Sequence, residues 1–517
     1  DDLERIEANI TRAIERVPVL NESGIKRVIN GPMIWSPDSN VLFGPVPELK
    51  NYFCCNGIIP GFSQSGGMGL LAAEWIIEGE TKYDMFAWDI ARFDTWADKE
   101  FTKSRVADQY TKRYSIHFPN EERSAGRPVR TRPVYEMQNK LGAVMGLSFG
   151  WEHPLWFANE PGVKDSIGFT RQNWWLPVGK ECKMLRNNAG IIDISNFAKY
   201  VVRGKKAHEW LDKVFANKIP TEVGRSTLAP LISSRGGLAG DFTINLIEEN
   251  EYWIFGSGMA ERYHKRFFYS VPFPEGVIFE SMTDNICGFS VAGPKSRKIL
   301  QHLTNTSLNT KDFPFMRSKR IELAGIQVHA LRISFTGDLG WEIYCNTFDQ
   351  KKLYSALLDA GKEFGAGPVG SRALMSMRIE KGYGSWSREY SPEYWPHEQG
   401  MARFCNMDKN FLNKAALEDV LRKAPREKMY VLHIDESSVK KSNADATGGE
   451  PIFKDGIGIG RVTSGTYGYT VGMSLALAMI KNVRPGDDVY VMVLGKPHKA
   501  KILHEPPFDP KGEKLRA

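Results

Sequence analysis

The sequence predicts an α+β protein of several domains that ends in a small β-barrel or sandwich. Three observations carry this expectation. The chain has 517 residues, more than one hydrophobic core holds, which points to roughly three or four domains. From about residue 153 to 410, short strand patterns alternate with helical ones, as in "GIIDISNFAKYVVRG", "AHEWLDKVFANKI", "NEYWIFGSG" and "KKLYSALLDAGKEFG". After about residue 420 the pattern turns to strands separated by glycine turns, "KMYVLHIDES", "IGIGRVTSGTYG" and "DDVYVMVLG".

Taken in order, residues 1–97 begin with a short helix and then two short strands, "NVLFGPVPEL" and "NYFCCNG". "SQSGGMG" reads as a glycine-rich loop that opens the helix "LLAAEWIIEGE", which Gly79 ends. Backbone N–H groups around Ser65, Gly66 and Gly67 would then face an anionic or carbonyl-bearing ligand; a plain tight turn is the alternative. Residues 98–152 are polar and basic and are expected to form a connector or central domain, with "HFPNEERSAGRPVRTRP" reading as an extended connector. Residues 153–415 form the mixed domain and 416–517 the strand-rich one.

Net charge is +7, but Lys and Arg are spread along the chain without a basic run. That argues against nucleic acid as a partner and favours small anionic ligands. The six cysteines form no C-x-x-C pair, so reduced thiols and an intracellular place are expected, the cytoplasm first and the mitochondrial matrix as the alternative. No apolar run reaches membrane-spanning length and no signal peptide is visible, so no membrane partner is expected. The chain opens at Asp1 without a methionine, which reads as a piece of something longer. No G-x-G-x-x-G follows a strand, and H-E-x-x-H, the P-loop and G-x-S-x-G are all missing. The ten histidines have no metal-ligand spacing, so no metal site is expected.

Three stretches carry candidate chemistry. In "SSRGGLAGDFTIN", Ser233 to Asn245, a glycine turn becomes a strand at Asp241. Such a turn admits a ligand close to the backbone while the strand holds the carboxylate still; a solvated turn aspartate is the alternative. In "RISFTGDLGWEIYC", Glu342 and Tyr344 point to one face and Trp341 and Ile343 to the other. A glutamate in so apolar a strand either faces solvent or meets a partner, such as a paired donor on a flat heterocycle. In "SRALMSMRIEKG", a helix with Ser371 as cap and Gly382 as stop, Arg378 shares a face with Leu374. It either pairs with Glu380 or Glu389 or binds an anionic or carbonyl group.

These stretches, with "FANKIP", "SVAGPKSRKIL", "MDKNFLNKAAL" and "GRVTSGTYG", occur in an order that resembles the aminomethyltransferase (T-protein) of the glycine cleavage system from about Glu152 onward. "GPMIWSPDSNVLFGPVPELKNYFCCNG", "DIARF" and "GAVMGLSFGWEHPLWFA" are similar to the C-terminal part of the flavin half in dimethylglycine and sarcosine dehydrogenases. The resemblance implies a T-protein-like folate-binding domain and a C-terminal β-barrel, preceded by the C-terminal part of a flavin-oxidoreductase domain. It departs from that family in lacking the dinucleotide fingerprint and the flavin-linked histidine. FAD is therefore expected only with a further segment, on this polypeptide or on a partner subunit.

The implied function is the one-carbon transfer half of a demethylating dehydrogenase for a methylated amine such as dimethylglycine or sarcosine. Tetrahydrofolate would capture the iminium carbon as methylenetetrahydrofolate. Asp241 matches the catalytic aspartate, as proton acceptor or electrostatic stabiliser. Glu342 matches the glutamate that grips the pterin, and Arg378 an arginine of the folate site. Phe335 stands where relatives often have tyrosine, and Tyr252 flanks the ligand or serves the core. Ser65, Gly66 and Gly67 would face the flavin. Asp338, in place of a more usual glutamate, is expected to be structural. The alternatives are a non-catalytic regulator on the same scaffold, or a demethylase of another methylated amine or a sulfonium compound.

Overall fold

A computed structural model describes residues 3–517. Two antiparallel-rich sheets pack on one another, and a closed barrel packs through Leu475 and Leu477 on Ile379. The first sheet has five antiparallel strands in the order Ile278–Ser281, Ala198–Arg203, Glu251–Gly256, Leu238–Glu248 and Ser226–Ile232. The second has six, in the order Ser318–Leu323, Ile326–Leu331, Gly340–Asn346, Ile286–Ala292, Gly190–Asp193 and Gly367–Val369, the last pair parallel. The barrel runs from Lys428–Ile434 to Lys496–Ile502, whose mutual pairing closes it.

Alternation along the strands assigns each side chain to a layer. Phe242, Ile244, Tyr252 and Ile254 pack under the helices Ala207–Val214 and Glu261–Ser270, against Trp210, Leu211 and Phe268. Trp341 and Ile343 pack under the helix Gln350–Lys362, against Leu353 and Leu357. Trp253, Phe255 and Tyr344 face inward and meet between the sheets. The helix Ser371–Glu380 is buried at the junction of the second sheet with the barrel. Ser371 is its first residue rather than its cap, which is Gly370, and Gly382 lies just beyond it at φ +70°.

Much of the charge buried in this junction is paired, while Glu181 accepts from the Phe157 and Gly370 N–H groups at 2.7 Å each. Arg186 meets both Asp338 and Glu380, with side chains 3%, 4% and 0% exposed, and its guanidinium lies 3.5 Å from the Phe508 ring centre. Asp338 therefore ties the turn before the Glu342 strand to the helix beneath it, which is a structural task.

The N-terminal segment differs from expectation in two places. The stretch around the expected extended connector contains the helix Lys99–Thr111, capped by Asp98, and begins the hairpin Ala143–Ser148 with Trp151–Phe157. The glycine-rich loop is not a loop: the helix runs unbroken over Gly61–Glu78. Met68, Leu71, Ala72 and Trp75 recur at helical spacing just after Gly66 and Gly67 and pack on Phe43 and Phe53, which anchors the helix that the glycines belong to. That packing outweighs the glycine penalty of about 1 kcal/mol each.

Arg186→Met leaves Asp338 and Glu380 buried without their cation. The variant is expected to lose about 3–5 kcal/mol of stability, read as a lower urea midpoint.

Candidate functional site

The turn before Asp241 is held from several sides. The Ser233 hydroxyl accepts hydrogen bonds from the N–H groups of Arg235 and Gly237 at 3.3 and 3.2 Å. A Cβ on Gly237 would lie 2.1 Å from the Pro392 carbonyl oxygen, and one on Gly236, at φ +78°, would lie 2.6 Å from that of Ala416. Close approach of two backbones thus demands both glycines. The strand then enters the first sheet, and because Phe242 and Ile244 point to its helix side, Asp241 and Thr243 point to the second sheet.

One contact organises the space they face. Phe255, opposite Thr243, stacks on Tyr344 of the second sheet with ring centres 4.6 Å apart and planes at 27°. A Cβ on Gly288 would lie 2.7 Å from the Tyr344 ring, so that glycine makes room for it. The Tyr344 hydroxyl donates to Glu342 Oε2 at 2.7 Å. Lys199, opposite Phe255 on the next strand, donates to the carbonyls of Ser195 and Phe197 at 3.0 and 2.6 Å and lies within electrostatic reach of Glu342. These contacts fix Glu342 beside the Phe255–Tyr344 stack, while Asp241 lies two residues before Thr243, the partner of Phe255 in the sheet, and within electrostatic reach of Tyr390.

Both acids are partly open yet deeply enclosed, the condition of groups that line a recess. Burial raises the Asp241 carboxyl to about 6. It raises Glu342 to about 7 against the opposing pull of the Tyr344 hydroxyl and the Lys199 charge. Burial also lowers Lys199 to about 7. Tyr390, half-buried, is pushed up by burial and by the neighbouring Asp241 carboxylate. Gly384 leaves the space for its ring, since a Cβ there would lie 2.4 Å from Tyr390 Cε1.

The other expected residues are distributed unevenly. Phe335 is half-buried and stacks on Tyr383, centres 5.9 Å apart at 26°. Arg378 is spent inside the protein. It donates to Glu389 at 2.7 Å, to the Tyr383 carbonyl at 2.9 Å and to Ser464 Oγ at 2.6 Å, and only its buried Nε lacks a partner. Arg378 borders a cavity of about 230 Å³ that Trp174, Arg388, Ser464 and Tyr467 also line. Of the two carboxylates considered for it, Glu389 is the partner.

Two expectations are corrected. Tyr252 is not a flank of the recess: it is 3% exposed, sits on the helix side of its sheet, and donates to the Pro220 carbonyl at 3.0 Å. Strand alternation puts it opposite to Trp253 and Phe255. Ser65, Gly66 and Gly67 lie inside the helix Gly61–Glu78, so their N–H groups serve helical hydrogen bonds and do not face a flavin carbonyl.

Sequence reasoning passed over Lys199, Phe255 and Tyr390. A lysine inside the apolar strand "AKYVVR" was a readable signal; Phe255 and Tyr390 gain their places only from packing. Among the described residues no His, Cys, Asp or Glu cluster could hold a metal, and no helix is long and apolar enough to cross a membrane.

Comparison with known proteins agrees with this architecture. Residues 134–409 match the GCVT N-terminal domain, 434–509 the glycine cleavage T-protein C-terminal barrel domain, and 78–131 the FAD dependent oxidoreductase central domain. The chain belongs to the family of the glycine cleavage T-protein. It is 33% identical to the mitochondrial dimethylglycine dehydrogenase of Mus musculus over 98% of its own length and 58% of that protein's. To the mitochondrial sarcosine dehydrogenase of the same organism it is 28% identical, over 98% and 60%. The chain thus spans little more than half of these relatives. The aminomethyltransferase T of Bartonella henselae shares the fold, with a TM-score of 0.64 at 22% identity over 74% of this chain and 98% of that one.

Asp241 and Glu342 have native pKa values above those of free carboxyls. The native state therefore binds more protons than the unfolded chain between about pH 4 and 7, and stability falls as pH rises through that window. Asp241→Asn and Glu342→Gln are each expected to stabilise the protein by about 1–3 kcal/mol above pH 8 and by nothing below pH 4. Urea midpoints measured against pH check this.

Proposed function

We propose that this chain is the folate-dependent one-carbon transfer half of a demethylating dehydrogenase for a dimethylglycine- or sarcosine-like amine. One observation supports the reading: Asp241 and Glu342 sit on facing sheets, neither is ion-paired, and burial raises both toward neutrality. A flat, donor-rich ring suits that frame. Glu342 Oε2 is taken by Tyr344, and its outer oxygen is left for a ring N–H or amino donor. The stacks Phe255–Tyr344 and Phe335–Tyr383 supply apolar walls.

Tetrahydrofolate, when bound, would supply the nucleophilic nitrogen that captures the one-carbon unit. The chain's own residues prepare that event. Glu342 binds and orients, and with a pKa near neutrality it accepts a hydrogen bond ionised or donates one protonated. Asp241, raised to about 6, is close enough to neutrality to take up a proton at its carboxylate oxygen. The enclosed setting strengthens either action by excluding water. Arg378 and Glu389 hold the segment that carries Tyr383 and Tyr390.

The residues expected to face a flavin do not fit that task, so no step is assigned to FAD here. The similarity of residues 78–131 to an oxidoreductase central domain supports a flavin partner domain as the source of the electrophilic carbon. Both named relatives are mitochondrial, which supports the matrix over the cytoplasm.

Tetrahydrofolate titration tests the reading. The protein should bind it, Glu342→Ala should abolish binding, and Asp241→Asn should bind within about threefold while losing about 10²–10⁴-fold in transfer rate. A protein that binds no tetrahydrofolate would instead be a regulator built on this scaffold.

A further inference from the structure

The turn that introduces Asp241 is gripped by the segment that precedes the transferase domain. Glu80 Oε2 accepts from the Ser234 N–H at 2.9 Å and from the Ser234 hydroxyl at 2.6 Å. Glu74 Oε1 accepts from Arg235 Nη2 at 2.9 Å and from its own chain's Lys82 N–H at 3.0 Å. Both acids lie at the end of the helix Gly61–Glu78 or just beyond it. The Arg235–Glu74 pair is too exposed, at 41% and 17%, to hold the turn alone. The two hydrogen bonds to Glu80 converge on one oxygen of a half-buried carboxyl and are charge-assisted when it is ionised, although Ser234 itself is exposed.

The turn has little room to absorb a change at this contact. Pro392 and Ala416 backbones press on Gly237 and Gly236, and the Leu238 N–H donates to the Tyr394 carbonyl at 3.2 Å. A shift at Ser234 passes into the strand, and Asp241 is its fourth residue.

We propose that Glu80 is a positioning residue for Asp241, through which the N-terminal segment is coupled to the transfer site. The inference rests on the reading of Asp241 as the acid of that site. Coupling of this kind is reciprocal: a ligand that orders Asp241 also tightens the grip of Glu80 on the turn. A transferase half that works at full rate only with its oxidoreductase segment docked follows from this.

The test uses the full chain with Glu80→Ala, Glu80→Gln and Ser234→Ala, each first shown to keep the wild-type thermal midpoint of the barrel and second sheet. Amide exchange is followed by mass spectrometry over residues 233–241 and 61–82, with and without tetrahydrofolate. Glu80→Ala and Ser234→Ala should each speed exchange over 233–241 about tenfold and leave the barrel unchanged. kcat for transfer should fall roughly tenfold with KM for tetrahydrofolate within about twofold, because the grip on the ligand belongs to the other sheet. Glu80→Gln, which keeps an acceptor oxygen, should restore most of both. Unchanged exchange over 233–241, exchange raised equally across the chain, or a kcat unmoved by Glu80→Ala would each overturn the proposal. Should the wild type fail to bind tetrahydrofolate, the functional reading fails, while the ligand-free exchange comparison still decides whether Glu80 holds the turn.

Discussion

The stack of Phe255 on Tyr344 is the contact on which the candidate site depends. It spaces two sheets that are also tied along one edge, where the Ser226 N–H donates to the Met316 carbonyl at 3.0 Å and the Ser318 N–H to the Gly224 carbonyl at 2.7 Å. Each ring occupies space that a neighbouring residue concedes: Gly288 for Tyr344, and the small inward side chain of Thr243 beside Phe255. Tyr344 does double duty, because its ring spaces the sheets and its hydroxyl holds Glu342. The orientation of an acid is thus built into the packing of the core.

The protein treats its buried charges in two ways. Where charge joins layers it is neutralised: Arg186 with Asp338 and Glu380, Arg378 with Glu389. Those groups are locked, and removing one partner is costly. Asp241 and Glu342 have no ion-pair partner, and burial pushes both toward neutrality. An unpaired acid at that depth is unfavourable for folding and marks a candidate site; Glu181, also raised to about 7, is instead satisfied by the Phe157 and Gly370 N–H groups. Lys199 belongs with Asp241 and Glu342: its ammonium has only carbonyl partners and is lowered to about 7.

The N-terminal segment is more than a remnant beside the transferase domain. Asp89 binds Arg266 at 2.7 Å, Phe86 packs on Tyr263 and Trp386, and Glu80 holds Ser234. Trp386 in turn sits in the loop that bears Tyr390. Two routes, through the Ser234 turn and through Trp386, therefore lead from this segment to the surroundings of Asp241.

By itself the sequence determined the α+β class and a strand-rich C-terminal part, because these are written in local signals, and it singled out Asp241 and Glu342 as candidates; closure of the barrel rests on the pairing of Lys428–Ile434 with Lys496–Ile502. Strand alternation put Glu342 with Tyr344 and against Trp341 and Ile343, and the structure keeps that division. The glycine turn before Asp241 was legible as unusual, but what made it unusual was not: the backbones of Pro392 and Ala416 lie more than 150 residues away in sequence. Only tertiary structure decided that Tyr252 turns to the helix side, that Arg378 belongs to Glu389, and that Ser65 to Gly67 continue a helix. Each of those outcomes depends on which partner a side chain meets across layers, and a linear pattern gives the direction of a side chain without saying what waits there.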